Sequence, residues 1–390
     1  MKIILALSLI IVFYTFAGYG ILLYFIIRIK RIFWGTKVIT EDLDKLPTCT
    51  LVVAAYNEAG FMKDKIANTL LLNYPAGKLN LLFITDGSTD DTPNIIAQYP
   101  QIQLLHQSQR AGKIAAIHRA MEFVHTDAVV FTDANTFLNK DALIKICRHY
   151  HDTTIGAVAG EKRVHFDENA DASAAGEGFY WKYESALKKW DSELYSVVGA
   201  AGELFSVRRH LYQSVPADTV LDDFMISMLI AKKGYRIVYE PEAYATETAS
   251  ENVSEELKRK IRIAAGGIQS ILRLKSLFNP FIYPVLSFQY ISHRVLRWTI
   301  TPFLLILSFA LNIILALEPG AIGYQLLLLA QILFYILALL GFIMEKKQLR
   351  IKILFIPYYF CVMNYAVLVG IIRYFTGKQS AVWEKAQRKQ

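Results

Sequence analysis

The sequence predicts an α/β domain built on a mostly parallel sheet, with apolar helices on either side of it in the chain. Short apolar, β-branched runs alternate with stretches of helical length between residues 49 and 135. Acidic residues follow the ends of three of those runs, at Glu58, Asp86 and Asp133. Four long uncharged apolar stretches lie outside that region. In an open parallel sheet, ligands bind beyond the carboxyl ends of the strands, so the acids should gather along one functional edge.

The elements follow in order. After a polar linker from Thr36 to Pro47, Leu51 to Ala55 reads as a buried strand that ends in Tyr56-Asn57-Glu58, and a helix follows to about Leu72. Leu81 to Thr85 is a second strand, ending in Asp86-Gly87-Ser88-Thr89-Asp90-Asp91-Thr92, where Ser88 or Asp90 can cap the next helix. Ile102 to Leu105 is a shorter third strand. Arg110-Ala111-Gly112-Lys113 then opens a helix to about Val124. Ala128 to Phe131 is the fourth strand and leads into Thr132-Asp133-Ala134-Asn135-Thr136.

Residue chemistry gives this edge a meaning. Asp133 and Asn135 present hard oxygens two residues apart, which suits Mg²⁺ or Mn²⁺ shared with water and substrate phosphates. The plain alternative is a strand-end turn. Asp86 can accept from a uracil N–H or a ribose hydroxyl, and Lys113, after a glycine at a helix start, can approach a phosphate. The spacing is not that of a Walker loop, and no Gly-x-Gly-x-x-Gly follows the first strand, which disfavours NAD.

Composition bounds the class. The chain has 390 residues, is 54% hydrophobic and carries a formal net charge of +8. Ile3 to Ile27, Trp298 to Leu317, Pro319 to Met344 and Ile353 to Ile372 contain no charged residue, and each reaches the roughly 20 residues a spanning helix needs. Arg28, Lys30 and Arg31 follow the first run directly, which reads as an anchor rather than a cleaved signal. The basic residues flank the apolar runs, so the positive charge reads as positive-inside with attraction to anionic membrane lipids, not as a nucleic-acid surface. Cys49, Cys147 and Cys361 lie far apart, giving neither a disulfide framework nor metal-ligand spacing.

The charges place the N-terminus outside and residues 38 to about 296 in the cytoplasm, on the inner side of the plasma or inner membrane. The third run returns to the basic loop from Glu345 to Lys352. A fourth crossing would put a basic tail outside, against the same rule, so Pro357 and Asn364 could instead mark a broken or re-entrant segment.

Seven short motifs, in order, carry a resemblance. They are Val53-Ala54-Ala55-Tyr56-Asn57-Glu58, Asp86 to Thr92, Gly112-Lys113, Thr132-Asp133-Ala134-Asn135, Gly199-Ala200-Ala201-Gly202-Glu203, Leu221-Asp222-Asp223 and Arg259-Lys260-Ile261-Arg262. Over roughly residues 45 to 275 the chain resembles family 2 glycosyltransferases of the membrane-embedded, polysaccharide-synthesising kind. The resemblance implies a GT-A fold and a nucleotide-sugar donor, usually a UDP-sugar. It implies donor binding by Tyr56, Glu58, Asp86, Lys113, Asp133, Arg259 and Arg262, with the metal at Asp133 and Asn135. Asn135 stands where the common Asp-x-Asp signature has its second acid.

Asp222 and Asp223 correspond to the Glu and the final Asp of the family's Thr-Glu-Asp stretch. A carboxylate beside another has its pKa raised, which favours a general base, and Asp223 is the one assigned to it. The alternative is an acidic first turn of the Met225-to-Lys232 helix, favoured by the dipole. Gly199, Ala200 and Gly202 fall where the family binds its acceptor, a saccharide or a lipid-linked sugar; a plain turn is the alternative. No second carboxylate is assigned as a nucleophile, so inversion is expected.

Ser254 to Lys275 reads as an amphipathic helix on the membrane surface. Processive synthases carry Gln-x-x-Arg-Trp there; this chain has Arg259, Arg262 and then Ile263, so the Trp is missing. The resulting layout is an N-terminal transmembrane helix over 1–35, a cytoplasmic GT-A domain over 36–250, interfacial helices over 251–296, C-terminal transmembrane helices over 297–376 and a basic tail over 377–390.

The leading expectation is single sugar transfer to a lipid-linked or growing saccharide in cell-surface polysaccharide synthesis, with a processive, secreting synthase as its rival. A pyrophosphorylase-like nucleotidyltransferase fits the first strand end but not the membrane runs. A transporter or receptor would place charge inside those runs, and they contain none.

Overall fold

The computed structural model describes residues 1–35, 41–165, 172–248, 253–347 and 351–379. Residues 36–40 of the polar linker, part of the Glu345-to-Lys352 loop and nearly all of the basic tail lie outside the described residues. The chain forms two compact units. One collects Met1–Arg28, Phe166–Leu187 and Asn252–Gln379; the other holds Ile29–His165 and Lys188–Glu251.

The second unit is built on an eight-stranded sheet. Its strands are β1 (Cys49–Ala55), β2 (Leu79–Asp86), β3 (Gln103–Gln107), β4 (Ala128–Asp133), β5 (Phe137–Leu138), β6 (Ile155–His165), β7 (Leu204–Arg208) and β8 (Arg236–Thr248), in the order β3-β2-β1-β4-β7-β6-β8-β5. From β3 to β4 all pairings are parallel. β7 then runs antiparallel to both β4 and β6, and β5 antiparallel to β8, so the sheet is mixed beyond β4.

The central strand shows why the apolar runs are continuous. Successive side chains leave a strand on opposite faces, and a strand covered on both must be apolar throughout. Leu51, Val53 and Ala55 enter the main core with Met62 and Ile66 of the Ala59–Leu70 helix. Val52 and Ala54 face the other way, towards Ile117 of the Lys113–Glu122 helix.

Parallel pairing of β1 with β2 and β4 aligns Ala55 with Thr85 and Ala54 with Asp133. The ends carrying Asp86 and Asp133 therefore flank the end of β1, along one edge as the sequence predicts.

The first unit is helical. Lys2–Trp34 is one long apolar helix, with a π-turn over Tyr14–Gly18, that continues past Arg28 into the other unit. Lys2–Trp34, Ile322–Lys346 and Ile353–Phe375 are each long and apolar enough to cross a membrane.

Two sequence expectations change here. The run from Trp298 to Leu317 is not one helix: Pro284–Trp298 and Thr301–Ala316 meet at a 59° bend, so it crosses only if the pair acts as one broken span. Pro302, in the first turn of the second helix, has no N–H to continue a ladder from the preceding turn and starts a new helix instead. Conversely, Lys352–Phe375 is one continuous helix through Pro357, and Asn364 Nδ2 donates to the Phe360 carbonyl at 2.9 Å, within its own turn.

The amphipathic Val253–Arg273 helix has Glu255 and Glu256 in its first turn. Lipid tails are as apolar as leucine, so spanning helices associate through close backbone approach at small residues. A Cβ placed on Gly370 would lie 2.6 Å from Ala264 Cβ and 2.9 Å from the Ile261 carbonyl oxygen. One on Gly341 would lie 2.5 Å from the Leu354 oxygen. Trp181 and Glu184 pack inside this unit: Lys260 Nζ lies 5.4 Å from the Trp181 ring centre, and Glu184 pairs with Arg294 and Arg297 at 2.9 Å each.

Gly370→Val is expected to destabilise the protein by ~2 kcal/mol or more through overpacking. Gly323, with open space around it, should tolerate Ala with a gain of up to about 1 kcal/mol from helix propensity. Thermal unfolding in detergent checks both signs.

Candidate active site

The loops at the strand ends are fastened to each other first. Asn57 is the one described non-glycine residue with positive φ, at 54°. Its side-chain oxygen accepts from Thr89 N–H at 2.8 Å, tying the turn after β1 to the loop after β2. Asp90 carries the junction: it accepts from Ala59 N–H and from Thr92 N–H, both at 3.0 Å, and so satisfies the starts of two helices. Thr92 Oγ1 accepts from Glu58 N–H at 2.9 Å. Much of the Asp86-to-Thr92 motif is therefore scaffold.

Asp86 is 5% exposed, and its Oδ2 accepts from Ala111 N–H at 2.9 Å and Gly112 N–H at 2.6 Å. Those two contacts fold the 110–112 segment across the end of β2. Gly112, at φ +99°, turns the chain into the Lys113–Glu122 helix without a side-chain cap. Asp86 Oδ1 is buried without a hydrogen-bond partner, and Arg119 Nη1 stands 3.8 Å away. A cavity opens here, lined by Tyr56, Asp86, Arg110, Gly112 and Lys113, and the Arg110 guanidinium lies 3.8 Å above the Tyr56 ring.

Lys113 lines a second cavity as well, with Thr132, Asp133 and Gly202. Its Nζ donates to Asp133 Oδ1 at 2.8 Å and lies 4.0 Å from Asp222 Oδ2, a buried oxygen without a hydrogen-bond partner. Burial works against the Lys113 charge, but Asp133, Asp222 and Asp223 outweigh it and hold the ammonium well above lysine's ordinary value. Asp223, in the first turn of the Asp222–Lys232 helix, is raised from 3.8 to about 7, by burial first and then by the charge of Asp222. Its Oδ1 accepts from Phe224 N–H at 2.8 Å.

The residues expected at the acceptor site divide. A Cβ on Gly202 would lie 3.3 Å from Asp223 Oδ2 and 3.6 Å from Lys113 Nζ, so Gly202 fronts the cluster. Gly199 has φ +83°, and a Cβ there would sit 2.1 Å from the Phe224 ring. Ala200 N–H donates to Ser227 Oγ at 3.0 Å. These two seat the loop on the Asp222–Lys232 helix.

Tyr56, Asp86, Lys113, Asp133 and Gly202 thus line two cavities that meet at Lys113 within one unit, and Asp222 and Asp223 stand near Lys113 without lining either. Glu58, 1% exposed, and Asn135, 6% exposed, are buried beside them and line neither. Arg259 and Arg262 belong to the other unit, where Arg259 Nε pairs with Glu256 at 3.1 Å. Among the described residues, no group of three or more His, Cys, Asp or Glu side chains could hold a metal by itself. A cation bound through Asp133 would need oxygens from a substrate.

Two further residues stand out. Arg110 has no sequence signal beyond its place before Gly112. Lys65 is fully buried, with burial pulling it down to about 7 against the charge of Asp133. Its signal is positional: Met62, Lys65, Ile66 and Thr69 form the buried stripe of the Ala59–Leu70 helix.

Fold and strand-end acids together define a GT-A glycosyltransferase fold. A solved structure with TM-score 0.71, 23% identical and covering 96% of this chain and 99% of its own, is a mannosyltransferase from Pyrobaculum calidifontis in complex with GDP-Man and Mn²⁺. Residues 50–215 match the model of the family described as Glycosyl transferase family 2, and this segment is a family 2 glycosyltransferase domain. The chain is 27% identical over 242 residues to a poly-beta-1,6-N-acetyl-D-glucosamine synthase of Staphylococcus aureus, and 24% identical over 264 residues to the Staphylococcus epidermidis synthase of that name. These matches cover 60% and 65% of this chain, and 57% and 62% of the relatives' own length.

The Asp223 shift has a stability consequence. The native carboxyl keeps its proton to about pH 7, whereas the unfolded one loses it near 3.8, so stability present below pH 4 is lost as pH rises towards 7. Asp223→Asn removes that titration. Its unfolding free energy should fall less than the wild type's between pH 5 and pH 8, by about 1–3 kcal/mol, measured by urea unfolding at the two pH values.

Proposed function

We propose that the chain is a membrane-bound inverting glycosyltransferase. It moves a sugar from a nucleotide-sugar, a UDP-sugar by preference, to a lipid-linked or growing saccharide at the cytoplasmic face, in cell-surface polysaccharide synthesis. The observation that carries this reading is the meeting of Asp133, Asp222 and Asp223 at Lys113, which also lines the cavity holding the unsatisfied Asp86 oxygen. Lys113 lines both cavities, so a nucleotide with its base at Asp86 would bring its diphosphate towards Lys113 and Asp133.

Asp86 Oδ1 accepts an N–H of the base and Tyr56 offers a ring face for stacking. Lys113 turns from Asp133 to the diphosphate. Asp133 fits a hard cation, because its carboxylate is partly exposed at the cavity, with Asn135 the second candidate ligand. Mg²⁺ or Mn²⁺, when bound, supplies positive charge against the leaving diphosphate. Asp223 takes the proton of the acceptor hydroxyl. The hydroxyl oxygen then bonds to the anomeric carbon as the bond to the diphosphate oxygen breaks and its electrons leave with the nucleotide. Asp222 keeps Asp223 basic. Gly202 leaves room for the acceptor beside the base.

A processive synthase that secretes its polymer is the second reading, favoured by what the staphylococcal relatives are named for. The missing Trp after Arg262 favours single transfer. Chain length of the product made by purified protein separates the two.

The test is nucleotide release from UDP- and GDP-sugars with added Mn²⁺. Asp223→Asn should lower kcat by about 10²- to 10⁴-fold with donor KM within a few-fold. In the wild type, kcat/KM should rise with pH through about 7, as the base loses its proton. Full turnover by Asp223→Asn would remove the base assignment.

A further inference from the structure

The nucleotide and metal readings above give no task to Lys65, a buried charge beside the Asp133 turn. Lys65 projects from the middle of the Ala59–Leu70 helix and is 0% exposed. Lysine is almost never fully buried unless its ammonium is engaged. Here Nζ donates to the Thr136 carbonyl at 2.7 Å and to Thr132 Oγ1 at 3.3 Å. Those two residues bracket Asp133, Ala134 and Asn135, so one ammonium grips both ends of the turn that carries the candidate metal oxygens.

The grip extends further. Thr132 Oγ1 donates to the Glu203 carbonyl at 2.9 Å, and Glu203 follows Gly202, which fronts the Asp223 cluster. Thr136 Oγ1 donates back to the Asp133 carbonyl at 2.9 Å, closing the turn on itself. The helix after β1, the turn after β4 and the loop before β7 therefore meet at Lys65 and Thr132.

We infer that Lys65 is a positioning residue for divalent-cation binding. It holds the Asp133–Asn135 turn in the shape that presents carboxylate and amide oxygens to a cation bound with a nucleoside diphosphate, while touching neither cation nor nucleotide. This rests on the reading of Asp133 as the metal-side carboxylate. Two effects oppose each other. As a buried positive charge, Lys65 repels a nearby cation; as a brace, it orders the ligands. Outer-shell partners of metal ligands change affinity by about 10- to 100-fold when removed, so the brace is expected to win.

The experiment uses the full chain in detergent, with UDP and Mn²⁺ as probes. Mn²⁺ bound in the UDP complex is titrated by electron paramagnetic resonance, and metal-free UDP binding by calorimetry. Lys65→Met should weaken Mn²⁺ by about tenfold or more, with metal-free UDP affinity within twofold of wild type. Thr132→Val, which keeps Lys65 but removes its side-chain partner, should weaken Mn²⁺ by a smaller factor, and it decides the matter if Lys65→Met does not fold. Unchanged or tighter Mn²⁺ binding in a folded Lys65→Met protein, or no change in Thr132→Val, would overturn the inference. Failure of the wild type to bind Mn²⁺ with UDP would instead sink the metal-side reading of Asp133, and the inference with it.

Discussion

The site depends on one constraint: carboxylates drawn out of water must have a cation. Asp133, Asp222 and Asp223 come from a strand end and a helix start that are far apart in sequence, and Lys113 stands among them. Opposite charges about 4 Å apart near a protein surface attract by roughly 4 kcal/mol, which offsets much of the cost of drying them. Asp223 escapes part of that cost by keeping its proton to about neutral pH. Lys113 is thus one cation among three carboxyl groups, and a ligand that draws it away leaves negative charge behind, where a metal ion is welcome.

The strands of the sheet were legible because burial on both faces demands continuous apolar runs, and β1, β2 and β4 have them. Their ends were legible because only polar residues can follow. That Asp86 and Asp133 flank β1 follows from parallel pairing alone. The direction of β7 was not legible: β-branched residues read the same either way. The place of Asp222 and Asp223 came from resemblance, since nothing in local pattern says that a helix start near residue 222 returns to a strand end at 133. Lys65 escaped notice because Lys63-Asp64-Lys65 looks like a solvated helix face. Only the neighbouring stripe of Met62, Ile66 and Thr69 tells that the third of these points inward.

The apolar runs show the converse lesson. Composition marks where a segment can sit in lipid but not where its axis bends. Pro302 was the visible hint of the break near residue 300, while Pro357, the same residue type, lies within a helix that continues. A proline early in a helix removes a donor that has no partner there anyway; one further along must be accommodated by its neighbours.

The side chain of Asp90 fastens two helix starts and, through Thr92, the turn that precedes the first of them. It lies outside the residues that line either cavity. Damage at this position would spread to the base cavity by letting its walls drift. In a mutational survey scored by turnover alone, a mere rivet would thus masquerade as a substrate contact.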